Sequence, residues 1–369
     1  MIPLIDIKRQ HQALKGEMER AVGEVLDQGQ FILGKNLEAF EKEMAEYCGT
    51  RYGIGVNSGT DAIFLALQAL GVGEGDEVIT SPYTFFATVE AIVHTGARPV
   101  LADIETRHFN LDPEQVERAI TPRTKAILPV HLFGRPADMK ALASLAQRYG
   151  LRLVEDACQA IGAEIEGKPV GSWGDAGCFS FYPTKNLGGM GDGGMITTSD
   201  PQLHERIRLL RTHGAYRKYH HSRFGFNSRL DEIQAAILRI KLKHLPKWNG
   251  RRRMLARRYR EAFHGLPLQL PAEDSQITPV YHLFVVRTPH SASLKKWLAS
   301  HGIGCEIYYP MPLHHQKAWK DRFPVPSLPR AEAVAGTTLA LPVYPELSDG
   351  EQEIIIEKVI RFFKEGKGL

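Results

Sequence analysis

Residues 51–80 read RYGIGVNSGTDAIFLALQALGVGEGDEVIT. A short apolar run, YGIGV, is followed by the helix-periodic stretch DAIFLALQALGV and then by a second apolar run, DEVIT. Strand, helix, strand is what a parallel sheet requires, because two parallel neighbours must be joined by a long crossover. The same alternation runs outward through FFATVEAIVHTG, RPVLADI, KAILPVHL, ADMKALASLAQRYG and LRLVEDAC, as far as Thr198. It predicts an α/β layer with a mostly parallel sheet, whose ligand-binding loops follow the carboxyl ends of the strands.

Beyond that layer the pattern changes. LDEIQAAILRIKLKHLPKWN is helical, Pro246 and the Asn249-Gly250 pair punctuate it, and RRRMLARRYREAF restarts a helix. Shorter elements separated by prolines follow between Pro267 and Pro345, with VYHLFVVRT as a strand and SASLKKWLASHG and EQEIIIEKVIRFFKEG as helices. A chain of 369 residues can bury two cores. The division expected is a large domain over residues 1–250 and a smaller C-terminal α/β domain over 251–369.

Hydrophobic residues at 43%, charged residues at 24% and a formal net charge of +4 describe an ordinary globular protein. That charge suits an anionic small ligand without demanding a polyanion. Cys48, Cys158, Cys178 and Cys305 form no CxxC pair, which excludes a zinc ribbon and a disulfide framework. The opening MIPLIDIKRQHQALKGEMER has no apolar run behind Lys8 and Arg9, so it does not read as a signal peptide. No stretch approaches the roughly 18 apolar residues of a membrane span. A reducing, cytoplasmic setting is expected.

The segment CFSFYPTKNLGGMGDGGMITT, residues 178–198, carries the most chemistry. CFSFY alternates as a strand, Lys185 follows it, and a glycine-rich loop leads into MITT. A lysine beside such permissive backbone can face a cleft, where desolvation or nearby cations lower its pKa and make it a Schiff-base nucleophile. Alone, the segment fits a surface lysine beside a turn equally well. In LVEDACQAIGA, Asp156 ends an apolar strand, where it suits a protonated pyridine nitrogen or, just as well, a helix N-cap. Ser58-Gly59-Thr60 ends a strand and opens a helix, so its free amides and hydroxyls suit a phosphate or an ordinary cap. Lysine, carboxylate and anion cradle together occur in the order that pyridoxal phosphate (PLP) requires.

With FILGKNLEAFEKEMAEYCG, NSGTDAIFLAL, GDEVITSPYTFFAT, VEDACQAIGA, SFYPTKNLGGMGDGG, RTHG, FGFNSRLDEIQAA and YYPMPLHHQ, the chain resembles the DegT/DnrJ/EryC1/StrS family of sugar aminotransferases nearly end to end. That resemblance implies the fold-type I architecture of PLP enzymes, a large domain with a mostly parallel seven-stranded sheet flanked by helices. It implies that Lys185 bonds the cofactor, Asp156 meets the pyridine nitrogen, and Gln159 lies near the ring hydroxyl. Gly59, Thr60 and Ser180 would bind the phosphate and Phe85 would stack on the ring. Asn227 would reach the phosphate from a neighbouring subunit, making a homodimer part of the site.

The resemblance further implies ping-pong transfer of an amino group from L-glutamate to a keto-sugar on UDP or dTDP. Tyr308, Tyr309 and His314 would line the sugar-nucleotide pocket, and Arg229 would meet a substrate carboxylate or phosphate. RKYHHSRFGFNSRLD and YYPMPLHHQ are similar to members that aminate C3 more than to the 4-keto branch. Tyr308 stands where members acting on a 3-keto uronic acid carry His, which argues against a uronic acid here. A sugar dehydratase of this family would replace Lys185 with His. A non-catalytic regulator built on the fold is the other alternative.

Four signals point elsewhere and fail. Gly189, Gly191 and Gly194 satisfy GxGxxG, but strand-like MITT follows where a dinucleotide site needs a helix. GAEIEGKP has Pro169 where a P-loop needs Ser or Thr. The tract from Arg251 to Arg260 is basic without any nucleic-acid-binding signature. His220-His221 and His314-His315 have no evident partner ligands at metal spacing, so no metal is expected.

Overall fold

The computed structural model describes residues 1–366. Reading across the main sheet, its seven strands are Tyr52–Val56, Gly194–Thr198, Ala176–Ser180, Arg152–Asp156, Thr124–Leu128, Glu77–Thr80 and Arg98–Leu101. The last five run parallel to their neighbours, and Gly194–Thr198 is antiparallel to the strand on either side. The alternation predicted this layer. Near-continuous burial along Tyr52–Val56, Glu77–Thr80 and Gly194–Thr198 explains why these strands read as solid apolar runs: both faces are covered.

The helices Gly59–Ala69, Ala87–His94 and Met139–Tyr149 follow strands as expected. Pro113–Ala119 and Pro201–Leu210 lie outside the sequence reading. Each starts at a proline whose preceding Asp caps the first turn, a local signal that was present in the chain.

The expected break at residue 250 is absent. A single helix, Glu232–Ala262, runs through Pro246 and Gly250. Interior proline costs about 3 kcal/mol and glycine about 1 kcal/mol in a helix. Burial of Leu238, Leu242, Leu245, Leu255, Ala256 and Tyr259 along the same helix outweighs that, at roughly 1.5–3 kcal/mol for each large side chain. What changes along the helix is its company. Leu238, Leu242 and Leu245 join a core with Phe40, Phe179 and Phe181, whereas Leu255, Ala256 and Tyr259 join one with Phe284, Leu339 and Phe362. Ile2 belongs to that second core, and Arg9 forms a two-pronged ion pair with Glu351, so the chain's start packs on its C-terminal part.

The basic tract is used internally. Arg252 is buried and donates to the carbonyls of Tyr281 and Val343, while Arg251, Arg258 and Arg260 pair with Asp349, Glu353 and Glu273. Among the described residues, no helix is long and apolar enough to cross a membrane.

Candidate active site

The carboxyl ends of Tyr52–Val56, Arg152–Asp156 and Ala176–Ser180 share one edge of the sheet, so Ser58, Asp156 and Lys185 gather there. Ser58 caps the helix Gly59–Ala69, its Oγ accepting from Asp61 N at 3.1 Å. The next amide, Ala62 N, donates to Ser58 O, which leaves the amides of Gly59 and Thr60 without helical acceptors. Gly59 is compelled by proximity. A Cβ there would stand 2.7 Å from Ser180 Cβ and 2.9 Å from Cys158 Sγ. Two free amides and the Ser180 hydroxyl therefore line one small anion-sized cradle.

Asp156 is buried and no helix follows it, so it is not an N-cap. Its Oδ2 accepts from Thr88 Oγ1 at 2.9 Å and its Oδ1 from Cys158 N at 3.2 Å. Thr88 in turn lies 3.2 Å, hydroxyl to hydroxyl, from Thr84. Two carboxylate oxygens hold about four acceptor positions, so capacity remains for a further donor. Lys185 is half-buried. Burial lowers its pKa below the ordinary lysine value, opposed by the charges of Cys158 and Asp156. The Cys158 thiol is pushed well up by burial and then by Asp156. His282, buried beside the same lysine, is pushed well down by burial, then by Lys185 and Arg252.

Gln159 Oε1 accepts from Phe133 N at 2.8 Å, and its Nε2 donates to Tyr309 Oη at 3.3 Å. Phe133 and Tyr309 stack at 6.3 Å between ring centres. Burial raises the Tyr309 phenol pKa. Phe85 is 61% exposed, a large apolar face left uncovered at the edge of the site's loop. Ser228 is buried, accepts from Asn57 N and donates to Asp61, which ties the segment 227–229 to the start of Gly59–Ala69. Its neighbour Asn227 is exposed and Arg229 half-buried, and Arg229 has no ion pair among the described residues.

The structure thus brings Gly59, Thr60, Asp156, Gln159, Ser180, Lys185 and Tyr309 to one place, and Tyr308 beside them. His314 departs from expectation. It is fully buried, with Nε2 on Glu332 Oε1 at 3.1 Å, so in this protomer it does not line an open pocket. The expectation that His314-His315 lacks partner ligands is also corrected: ligand-capable atoms of His314, His315 and Glu332 lie within 4.8 Å of one another. Glu332 Oε1 already accepts from Leu328 N at 3.0 Å, which accounts for its place there. Thr88, Tyr83 and His282 escaped the sequence reading. Thr84 and Thr88 sit four apart within SPYTFFAT, but nothing local names Asp156 as their partner.

The residues present fit PLP: an amine of lowered pKa, an oriented carboxylate, an anion cradle that admits no Cβ, and an exposed aromatic ring. Fold and site define a PLP-dependent aminotransferase. The chain belongs to the DegT/DnrJ/EryC1/StrS aminotransferase family, whose model matches residues 12–360. It is 48% identical to a dTDP-3-amino-3,4,6-trideoxy-alpha-D-glucose transaminase of Streptomyces venezuelae, over 97% of this chain and 95% of that one. It is 47% identical to a UDP-N-acetyl-3-dehydro-alpha-D-glucosamine 3-aminotransferase of Acidithiobacillus ferrooxidans, over 98% and 97%. A pleiotropic regulatory protein of Geobacillus stearothermophilus is 45% identical over 98% and 99%. Among solved structures, S. venezuelae DesV in complex with a ketimine intermediate superposes with a TM-score of 0.96 at 48% identity, covering 98% of both chains.

Proposed function

We propose that this protein transfers an amino group from L-glutamate to C3 of a 3-keto-sugar carried on UDP or dTDP, in two half-reactions at one site. The observation that carries the reading is the pairing of a half-buried Lys185 of lowered pKa with Asp156 beside the Gly59–Ser180 cradle. Two relatives named for amination at C3, one on dTDP and one on UDP, support the acceptor class.

Bound PLP supplies an electron-withdrawing ring that takes up the electron pair left when a donor loses its α-proton. Lys185 anchors the cofactor and, once displaced, takes that proton and returns it as general base and acid. Its lowered pKa raises the share of neutral amine at a given pH. Asp156, oriented by Thr88 and Cys158 N, directs its remaining acceptor capacity to the pyridine nitrogen. Gly59, Thr60 and Ser180 hold the phosphate, Phe85 covers the ring, and Gln159 faces the ring hydroxyl.

The protein acts as a homodimer in this reading, with Asn227 and Arg229 serving the partner's site, because Ser228 alone of that segment is turned inward. Tyr308 and Tyr309 border the sugar, with His314 behind them. Four unpaired cysteines support action in the cytoplasm.

The test follows cofactor absorbance on adding L-glutamate, then on adding 3-keto and 4-keto sugars linked to UDP and dTDP. Conversion with glutamate and recovery with a 3-keto acceptor are expected, and Lys185→Ala should abolish both. Recovery only with 4-keto acceptors would reassign the sugar position. A cofactor spectrum unchanged by every amino donor would favour the regulator, the reading that the Geobacillus relative's name supports.

A further inference from the structure

One phenol joins two distant parts of the chain at the rim of the site. Tyr83 is only 1% exposed and lies two residues before Phe85. Its Oη accepts from Tyr309 N at 2.8 Å and donates to Tyr308 O at 2.6 Å. Thr338, from the C-terminal two-stranded sheet, donates to the same Tyr308 carbonyl at 2.7 Å, with its hydroxyl 2.9 Å from that of Tyr83. The Tyr83 ring also meets the Tyr309 ring edge-on, centroids 5.6 Å apart, and Leu313 N donates to Pro82 O at 2.8 Å.

The clamped segment borders the reacting groups. Tyr309 Oη is bonded to Gln159, three residues from Asp156, and the Asp156 charge acts on the Tyr309 phenol. One wall of the Lys185–Asp156 site therefore comes from residues 308–309, and a single oxygen from residue 83 fixes both sides of their shared peptide. No other side chain donates to or accepts from Tyr309 N among the described residues. Removing that oxygen would strand a half-buried amide and free the wall to shift.

We propose that Tyr83 is a positioning residue for the acceptor: through the 308–309 peptide it sets the wall against which the sugar of a nucleotide-sugar rests. The inference rests on the nucleotide-sugar reading above. A small amino acid held next to Lys185 makes little use of a wall set by Tyr308 and Tyr309. A sugar with a diphosphate and a nucleoside behind it must extend along it. The effect should therefore fall on the larger ligand.

Tyr83→Phe removes only the oxygen. With holoenzyme and calorimetry, UDP-N-acetylglucosamine and dTDP-glucose should bind about 10-fold more weakly to the variant while UDP and dTDP alone change less than about 2-fold, the size of loss expected for one hydrogen bond that leaves its partner unpaired. The rate of cofactor conversion by L-glutamate should stay within about 2-fold of the parent. Thr338→Val keeps the Tyr83 clamp but removes the second donor to Tyr308 O, so it should shift sugar-nucleotide binding in the same direction by less. It also carries the test if Tyr83→Phe is poorly folded.

Equal losses for nucleotides and nucleotide-sugars, or a glutamate step slowed as much as sugar binding, would reduce Tyr83 to a structural tie and overturn the proposal. So would unchanged binding in both variants. A parent enzyme that binds none of these nucleotide-sugars would sink the nucleotide-sugar reading and this inference together, whereas a parent that binds and a variant that matches it sinks this inference alone.

Discussion

Thr88 Oγ1 donates to Asp156 Oδ2 at 2.9 Å, joining the first turn of the helix Ala87–His94 to the end of the strand Arg152–Asp156. Both residues are buried, so the bond is not shared with bulk water. A hydrogen bond to a charged group is worth about 1.5–3 kcal/mol, or roughly 10- to 100-fold in an equilibrium. Thr88→Val should weaken PLP binding to the apoprotein by about that factor, since the carboxylate that meets the pyridine nitrogen loses its orientation. Thr88→Ser should restore most of it. Equilibrium dialysis of PLP decides the matter, and equal affinity in parent and Thr88→Val would remove Thr88 from the site.

The Gly59 cradle makes a separate prediction. A methyl at residue 59 meets Ser180 Cβ at 2.7 Å and Cys158 Sγ at 2.9 Å, both tighter than real side chains tolerate. Overpacking of this kind costs about 1–3 kcal/mol. Gly59→Ala should lower the unfolding midpoint modestly and weaken inorganic phosphate as a competitor of PLP. Adding Cys158→Ala should recover part of the stability, because it withdraws one of the two clashing atoms. Calorimetry of the single and double variants measures the recovery.

Lys185 offers a prediction on pH. Burial lowers its pKa and the Asp156 charge raises it, so the two effects oppose. Only the neutral amine is nucleophilic, and competitive acetylation of the apoprotein should therefore place the Lys185 midpoint below that of surface lysines. Asp156→Asn removes the raising contribution alone, and the midpoint should fall further. A rise in that variant would mean that the two side chains do not sense one another.

How far these features were legible depends on how local their causes are. Asp156 at a strand end, Gly59 at a helix start and Lys185 before a glycine-rich loop are each defined within about ten residues of chain, and the sheet follows from the same alternation. Thr88 finds its partner 68 residues on and Tyr83 its partners 225 and 226 residues on, separations that no pattern encodes. Pro246 misled because a local rule met a larger burial on either side of it. His314 sits in a motif that marks a substrate pocket by family resemblance, yet the side chain turns inward to Glu332, a partner 18 residues later.

Lys241 ties stability to the glycine-rich loop. It is fully buried in the helix Glu232–Ala262 and its Nζ donates to Gly188 O, in the loop that follows Lys185. Burial pushes its pKa from 10.5 down to about 8, weakly opposed by Glu346. Between those two values the unfolded chain keeps a proton that the folded protein has released, so folding stability rises with pH across that window. Below about pH 8 the full penalty applies, on the order of 3 kcal/mol for a shift of this size. In Lys241→Met this dependence disappears. Urea unfolding of parent and variant apoproteins should therefore show the parent gaining on the variant from about pH 8 upward, by up to ~3 kcal/mol near pH 10.5. At about pH 7 the variant escapes the burial penalty but strands the Gly188 carbonyl, a loss of about 1–3 kcal/mol, so the two come out close together. Parallel stability curves would mean that the ammonium is solvated in the folded protein and does not hold the loop.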